Sequence, residues 1–333
     1  MRSGDVFAVG FTYALGERRL HVTESAAAGL LRSDPADLTA AGFGWHHLCG
    51  PRTSAYDLAC QVSRKLAVDY PLHDVDAIVY ATCLPLNANA GSATDWERSR
   101  DVKYLMDFPG SRLQAEFGLA DAVVFGLTQQ ACTSMLGSLR LADALLTAEP
   151  SWRRVLCVTA DRFPDGSLYE QAYNPISDGA AACLVGRLSE PGGLRIVACH
   201  QITNGGLAQA SDDETVGSYF SYTARLIRET LAKASLSAGD IDWVVTQNTH
   251  EKAWVILGRL LGIESAKVWA PSIGEVGHVI SGDNVVNLRM LLDSGQLQPG
   301  QKVLLMMAGF GLNWQSVILE APGPGDGPGE HRT

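Results

Sequence analysis

Positive charge is in short supply. The 333 residues carry 26 Lys and Arg against 36 Asp and Glu, a formal net charge of −10. Gripping a nucleic-acid backbone requires clustered cations, and the densest basic spots are the pairs Arg18–Arg19 and Arg153–Arg154. No nucleic-acid partner is expected. Long apolar runs are also missing. None approaches the ~18 residues of a membrane-spanning helix, so no membrane partner is expected either. The opening stretch, MRSGDVFAVGFTYALGERRL, lacks the apolar core and cleavage site of a signal peptide and reads as a strand and turn. CxxC pairs are absent, and the cysteines number seven, an odd count at irregular spacing. A disulfide framework or a structural zinc is therefore not expected, no metal is called for, and a cytoplasmic setting is favoured.

What the chain does have is core material. Apolar residues make up 46% and charged residues 19%, a balance that excludes wholesale disorder. Short β-rich apolar runs recur at Val6–Val9, Ala77–Ala81, Ala122–Phe125, Val155–Thr159, Ala181–Val185, Ile196–Cys199, Trp243–Thr246, Val303–Met307 and Ser316–Leu319. Helical spacing lies between many of them, at Ser134–Ala148, Ser221–Leu231 and Glu251–Leu261. Strands alternating with helices predict an α/β protein with buried sheets. The order of elements suggests two similar halves, 1–188 and 189–321, divided at the turn-forming SEPGG, with a Pro/Gly-rich disordered tail at 322–333.

The most informative stretch is AVVFGLTQQACTSMLGSLRLADALL. A strand leads through a short turn to Cys132, and a long helix follows. At a helix start, unpaired N–H groups and the dipole favour a thiolate, the form that attacks a thioester carbonyl. On local grounds alone, a cysteine beside Ala, Ser and Met also fits a small buried apolar residue.

Further landmarks follow in order: SDGAAACLVG (Ser177–Gly186), VVTQNTHEKAW (Val244–Trp254) and LQPGQKVLLMMAGFGLNWQSVIL (Leu297–Leu319). With Cys132, they make the sequence resemble the ketoacyl synthase III branch of the thiolase superfamily. The resemblance implies a thiolase-like fold, with two similar βαβαβ-containing halves in a layered αβαβα core. It implies a homodimer and an acyltransferase. Cys132 would accept the acyl group, with His250 as base or hydrogen-bond partner. The N–H groups of Cys132 and Phe310 would form an oxyanion hole, and Gly309 and Gly311 would let the turn approach the substrate. Trp45 and Arg52 would meet the pantetheine arm, and Arg153, Arg154 and Arg259 could receive an acidic carrier protein. The donor would be an acyl-CoA or acyl carrier protein, whose thioester enters as substrate, so no cofactor is implied.

The condensing members of this branch carry an Asn as third catalytic group. The corresponding stretch here is GEVGHVISGDNVVNLRMLL, and counting back from the C-terminal hairpin puts His278 in the Asn position. The pattern is similar to a GHxxxxDQ-like subgroup with a Cys-His-Asp triad, which implies Asp283 orienting His250. A carboxylate there would oppose the enolate formed when malonyl is decarboxylated, yet would raise the basicity of a histidine. The expected function is therefore acyl transfer to a small-molecule hydroxyl or amine in natural-product biosynthesis. Decarboxylative condensation through Cys132, His250 and His278 stays open, as does a non-catalytic subunit of a heterodimeric synthase. Read without the resemblance, Asp283 caps the helix Asn284–Leu292 and His278 is a structural histidine. His46, His47 and His73 read as surface residues, and His200 has no obvious partner. The polar stretch Leu84–Pro109 reads as a loop shaping an acyl cavity or lid.

Overall fold

A computed structural model describes residues 5–87, 91–187, 190–207, 212–249, 252–309 and 312–323, with backbone alone at 212–216. The principal strands are β1 (Phe7–Leu15), β2 (Val75–Ala81), β3 (Val123–Leu127), β4 (Arg154–Asp161), β5 (Gly179–Gly186), β6 (Leu194–Thr203), β7 (Trp243–Val245), β8 (Val268–Trp269), β9 (Lys302–Gly309) and β10 (Asn313–Glu320). Hydrogen bonding orders them β8-β7-β9-β10-β6-β1-β5-β4-β2-β3. From the β6–β1 junction outwards, each side runs first, fifth, fourth, second, third strand. The chain thus repeats one topology, which no sequence repeat reveals. The changeover falls between Gly186 and Leu194. The junction itself is slight, with Phe7 opposite Arg195 and Ala8 opposite Leu194.

The five longest helices among the described residues are α1 (Ala55–Asp69), α2 (Ser134–Ala148), α3 (Asp212–Ala234), α4 (Lys252–Leu261) and α5 (Asp283–Asp293). A Ser54/Asp57 capping box starts α1, which covers the outer face of β1, β4 and β5. Helix α2 is buried at Met135, Leu136, Leu139, Ala142 and Leu146 because both halves press on it, β4 and β2 from one side and β10 from the other. Helix α5 lies in the same middle layer against β1 and β9, while α3 and α4 close the far side. The architecture is αβαβα. Every residue of β5 is buried, and its Gly/Ala composition lets helices approach both faces. Among the described residues, no helix is long and apolar enough to cross a membrane.

Several expectations needed correction. His46 is fully buried: its Nε2 lies 2.6 Å from Ser25 Oγ and its Nδ1 2.8 Å from the Ile176 carbonyl. Polar neighbours in the sequence gave no hint, because the partners are remote in the chain. His200 does have a partner, Glu229, at 2.7 Å. Helix α5 begins at Asp283 itself, whose side chain makes no capping bond.

Candidate active site

The turn after β3 is bent at a cost. Ala131 has φ 45°, in the left-handed region that a residue with a Cβ avoids. A 3₁₀ turn, Ala131–Thr133, follows and runs directly into α2, so Cys132 stands at the mouth of that helix. The other half of the chain holds the bend. On β10, Gln315 donates from Nε2 to Gln130 Oε1 (2.7 Å) and Thr133 Oγ1 (3.1 Å), and Asn313 donates to the Gln129 carbonyl (3.2 Å). Gly309, at the end of β9, passes so close that a Cβ there would sit 3.0 Å from the Cys132 nitrogen.

The histidine arrives by the reverse arrangement. Gly277, at φ 60° and ψ −152°, takes a backbone shape that only glycine adopts readily. His278 then donates its N–H to the Pro175 carbonyl (2.8 Å) and accepts from the Ser177 N–H (2.8 Å), both in the N-terminal half. Asp283 Oδ2 lies 2.6 Å from His278 Nδ1 and also accepts the Asn248 N–H at 2.7 Å. Its Oδ1 accepts the Val279 N–H at 2.6 Å. Asn248 is pinned in turn, donating to Ser272 Oγ and the Gly277 carbonyl and accepting from Asn287. With Nδ1 committed to the carboxylate, the rest of the ring is left to the cavity, which Cys132 also lines.

Cys132, His278 and Asp283 are 2%, 4% and 0% exposed, so their charges act without much solvent screening. A hydrogen bond from Cys83 and the hydrogen bond and positive charge of His278 outweigh burial and bring the Cys132 thiol down to about 5. Burial opposes a charged His278, but the Asp283 carboxylate and the Cys132 sulfur overcome it and push the ring up to about 10. Both shifts favour a thiolate beside an imidazolium. Both residues open onto a cavity of about 270 Å³, walled by Leu207, Phe220, Ala308, Leu312 and Trp314, with Gln171, Asn174, Tyr219, Gln247 and Thr249 as its polar lining. Gln247 is fixed by accepting the Ala308 N–H at 2.6 Å.

An activated thiol at a helix mouth, an oriented imidazole and a cavity reaching both suit acyl transfer from a thioester. Known proteins agree. Residues 128–205 match the 3-oxoacyl-[acyl-carrier-protein] synthase III family and 231–321 its C-terminal counterpart, together just over half of the chain. The chain is a ketoacyl synthase III-like member of the thiolase superfamily. A beta-ketoacyl-[acyl-carrier-protein] synthase III of Chlamydia caviae is 27% identical over 244 residues, 65% of this chain and 72% of its own length. The 3-oxoacyl-(acyl carrier protein) synthase III FabH of Pseudomonas aeruginosa PAO1 superposes with TM-score 0.78 at 22% identity, over 96% of this chain and 98% of that one. ChlB3, described as an acyltransferase, gives TM-score 0.78 at 20% identity with the same coverage. These structural likenesses show the fold, and the family makes the chain a transferase.

Within this ketoacyl synthase III-like frame, the residues singled out in the sequence have separate fates. Cys132, His278 and Asp283 converge. Asp283 serves His278, whereas the sequence pairs it with His250. His250, Phe310 and Gly311 lie outside the described residues. Gly309 lines the cavity; Trp45 and Arg52 do not. Trp45 instead carries the Arg19 guanidinium 4.1 Å over its ring and meets His21 edge-on. Arg154 is not free for a carrier protein, because Asp74 and Glu190 bind its guanidinium. No described residue of the Leu84–Pro109 stretch lines the cavity at Cys132. Its Asp107, Phe108 and Pro109 line a second cavity of about 250 Å³ beside Tyr80 and Gly126. Gln247, Cys83 and Asp161 carry parts of the site that the sequence did not announce. Gln247 lies inside the VVTQNTHEKAW landmark, which was its only available signal, and for the other two there was none.

Proposed function

We propose that this protein loads an acyl group from an acyl-CoA or acyl carrier protein onto Cys132 and passes it to a small-molecule hydroxyl or amine in natural-product biosynthesis. The observation that carries this reading is the 2.6 Å contact between Asp283 and His278 Nδ1, at a position where condensing members of the branch have a neutral Asn. The proton balance is consistent with it. In loading, the Cys132 thiolate attacks the thioester carbonyl, and the departing thiolate takes the proton from His278. The ring is then neutral. Asp283 keeps it oriented to accept the O–H or N–H proton of the acceptor as that atom attacks the acyl carbonyl. When the Cys132 sulfur leaves as a thiolate, the ion pair is restored. A malonyl decarboxylation would instead build an enolate beside a carboxylate, which Coulomb repulsion opposes.

The carboxyl-terminal edge of the N-half sheet supports a homodimer. Strand β3 is its last strand, Val123 on it is exposed, and Phe108, exposed as well, lines a cavity with its Val124.

Incubation with acyl-CoA thioesters, read by intact mass, tests the first step. An acyl adduct on the wild type that is missing in C132A is expected. No adduct with any CoA or carrier thioester would favour a non-catalytic subunit. Malonyl thioester is then added to the acylated enzyme, in parallel with alcohols and amines. Ester or amide formation without carbon dioxide release supports the proposal. Release of carbon dioxide with a new ketone would overturn it in favour of condensation, the activity for which the Chlamydia caviae relative is named.

A further inference from the structure

Where β7 ends, a glutamine side chain carries its ladder one step further. The last pair between β7 and β9 is Val245 with Leu305. Beyond it, the Ala308 N–H finds its acceptor in a side chain, Gln247 Oε1, at 2.6 Å. A backbone N–H only donates, so the atom it meets is the amide oxygen, and the other end of the side chain is the NH₂ group. The Gln247 backbone is fixed as well. Its carbonyl accepts from Thr246 Oγ1 (3.0 Å) and the Thr249 N–H (3.0 Å). The next residue, Asn248, donates its N–H to Asp283 Oδ2, the oxygen that meets His278. Ala308 precedes Gly309, which passes against the Cys132 nitrogen. Gln247 is therefore strung between the turn beside the nucleophile and the carboxylate behind the base. It is 6% exposed, and it lines the same cavity as Cys132 and His278. Its Nε2 has no partner among the described residues, yet is not among their sealed unpartnered atoms. An amide clamped at one end and open at the other is a donor prepared for a ligand.

We propose that Gln247 is a substrate-binding residue, whose Nε2 donates a hydrogen bond to the attacking oxygen of the acceptor and holds it between His278 and the acylated Cys132. The inference rests on the reading that the acyl group passes to a heteroatom, and it narrows which heteroatom. A hydroxyl oxygen has two lone pairs. One accepts from Gln247 while the other attacks the acyl carbonyl. The O–H proton goes to the neutral His278 ring, the C–O bond forms, and the C–S bond breaks with its electron pair leaving on Cys132 as a thiolate. A neutral amine has a single lone pair, which a hydrogen bond from Gln247 would occupy. The clamped amide is thus fitted to an alcohol and works against an amine.

The full chain is loaded from an acyl-CoA, and its discharge to benzyl alcohol and to benzylamine is followed by mass spectrometry of the ester and amide at one alkaline pH, with rates corrected for the free-amine fraction. In water the amine is the stronger nucleophile, so a wild type that discharges faster to the alcohol owes that preference to its site. This preference is expected. Q247E keeps an acceptor for the Ala308 N–H and loses the donor, while Q247L loses both without adding charge. In each, the alcohol-to-amine ratio should fall about tenfold, the effect of one hydrogen bond to substrate. Discharge to the alcohol should also fall further than loading does. A general disturbance of the fold or of Cys132 would slow both acceptors together, and a ratio unchanged from wild type in both variants would overturn the proposal. So would a wild type that discharges faster to the amine, which would leave transfer to a heteroatom intact. Absence of any acyl adduct on the wild type would instead sink the acyl-transfer reading itself, so the failures look different.

Discussion

Two cysteine pairs in this chain invite comparison. Cys132 opens onto the cavity with Cys83 among the groups that shift it, while Cys157 on β4 stands opposite Cys183 on β5 as a cross-strand pair, both fully buried. The side chains are the same, and in each pair one thiol shifts the other. Their tendencies are opposite. Burial and the bond to Cys183 push Cys157 well above the ordinary thiol range, whereas Cys132 falls to about 5. Both pairs lose water, so desolvation does not explain the difference. A neighbouring thiol helps only once something decides which sulfur carries the charge. At the cavity, His278 and the mouth of α2 decide it; in the sheet, no cation is among the influences on Cys157. Reactivity here belongs to the surroundings, and to two halves of the chain that each contribute part of them.

Removing the charged sulfur breaks the comparison most completely. C132A should abolish the acyl adduct and lower transfer by about 10³-fold or more, read by intact mass and turnover. Removing the cation comes next. H278A should make the Cys132 sulfur resemble Cys157, with its alkylation midpoint moved up by several pH units and acyl transfer down by about 10²- to 10⁴-fold. D283N leaves the ring in place but allows the wrong tautomer, and a loss of about 10²- to 10⁴-fold is expected, as in hydrolase triads. Because Asp283 also accepts two backbone N–H groups, D283N should lower the melting temperature as well, whereas H278A should show its main effect in the pH profile.

The sequence showed one member of this site well and the others unevenly. The strand–turn–helix around Cys132 was legible because the apolar period switches there from two to about three and a half, and α2 begins and ends where the periodicity predicts. His278 and Asp283 were visible as a motif. Their partnership was not, because a spacing of five on a loop does not say that Gly277 will turn the ring back onto the carboxylate. Trp45 was assigned to the substrate by resemblance, but Arg19 and His21 occupy it, and those contacts come from pairing the Arg18–His21 strand with Trp45–Leu48. Asp161 and Cys83 are 78 residues apart in the chain and meet only when β2 and β4 pair, which local pattern does not encode. The repeated strand order was hidden for a similar reason, since topology persists while side chains diverge.

A smaller effect comes from pH. The thiolate is lost as pH falls through about 5 and the imidazolium proton as pH rises through about 10. Acyl loading requires both, one to attack and one to protonate the leaving thiolate. Loading rates should therefore be level across neutral pH and fall on either side. A rate that climbs steadily from pH 7 to pH 9, like that of an ordinary thiol, would show that the ion pair does not form.

The smallest expected effect tests the quiet pair. C157A removes one sulfur from β4, where Val79 and Cys183 are its neighbours in register and Cys157 does not line the cavity. The lost contacts should cost about 1 kcal/mol, at the low end for a buried truncation, and lower the melting temperature by about 2 °C in a chain of this size. The pH profile of Cys132 alkylation should be unchanged, because no charge near His278 has moved. A stability change without a chemical one is what the comparison demands. If C157A shifted the Cys132 midpoint as H278A should, core packing would be enough to tune the nucleophile. The distinction between the two pairs would then rest on something other than the cation.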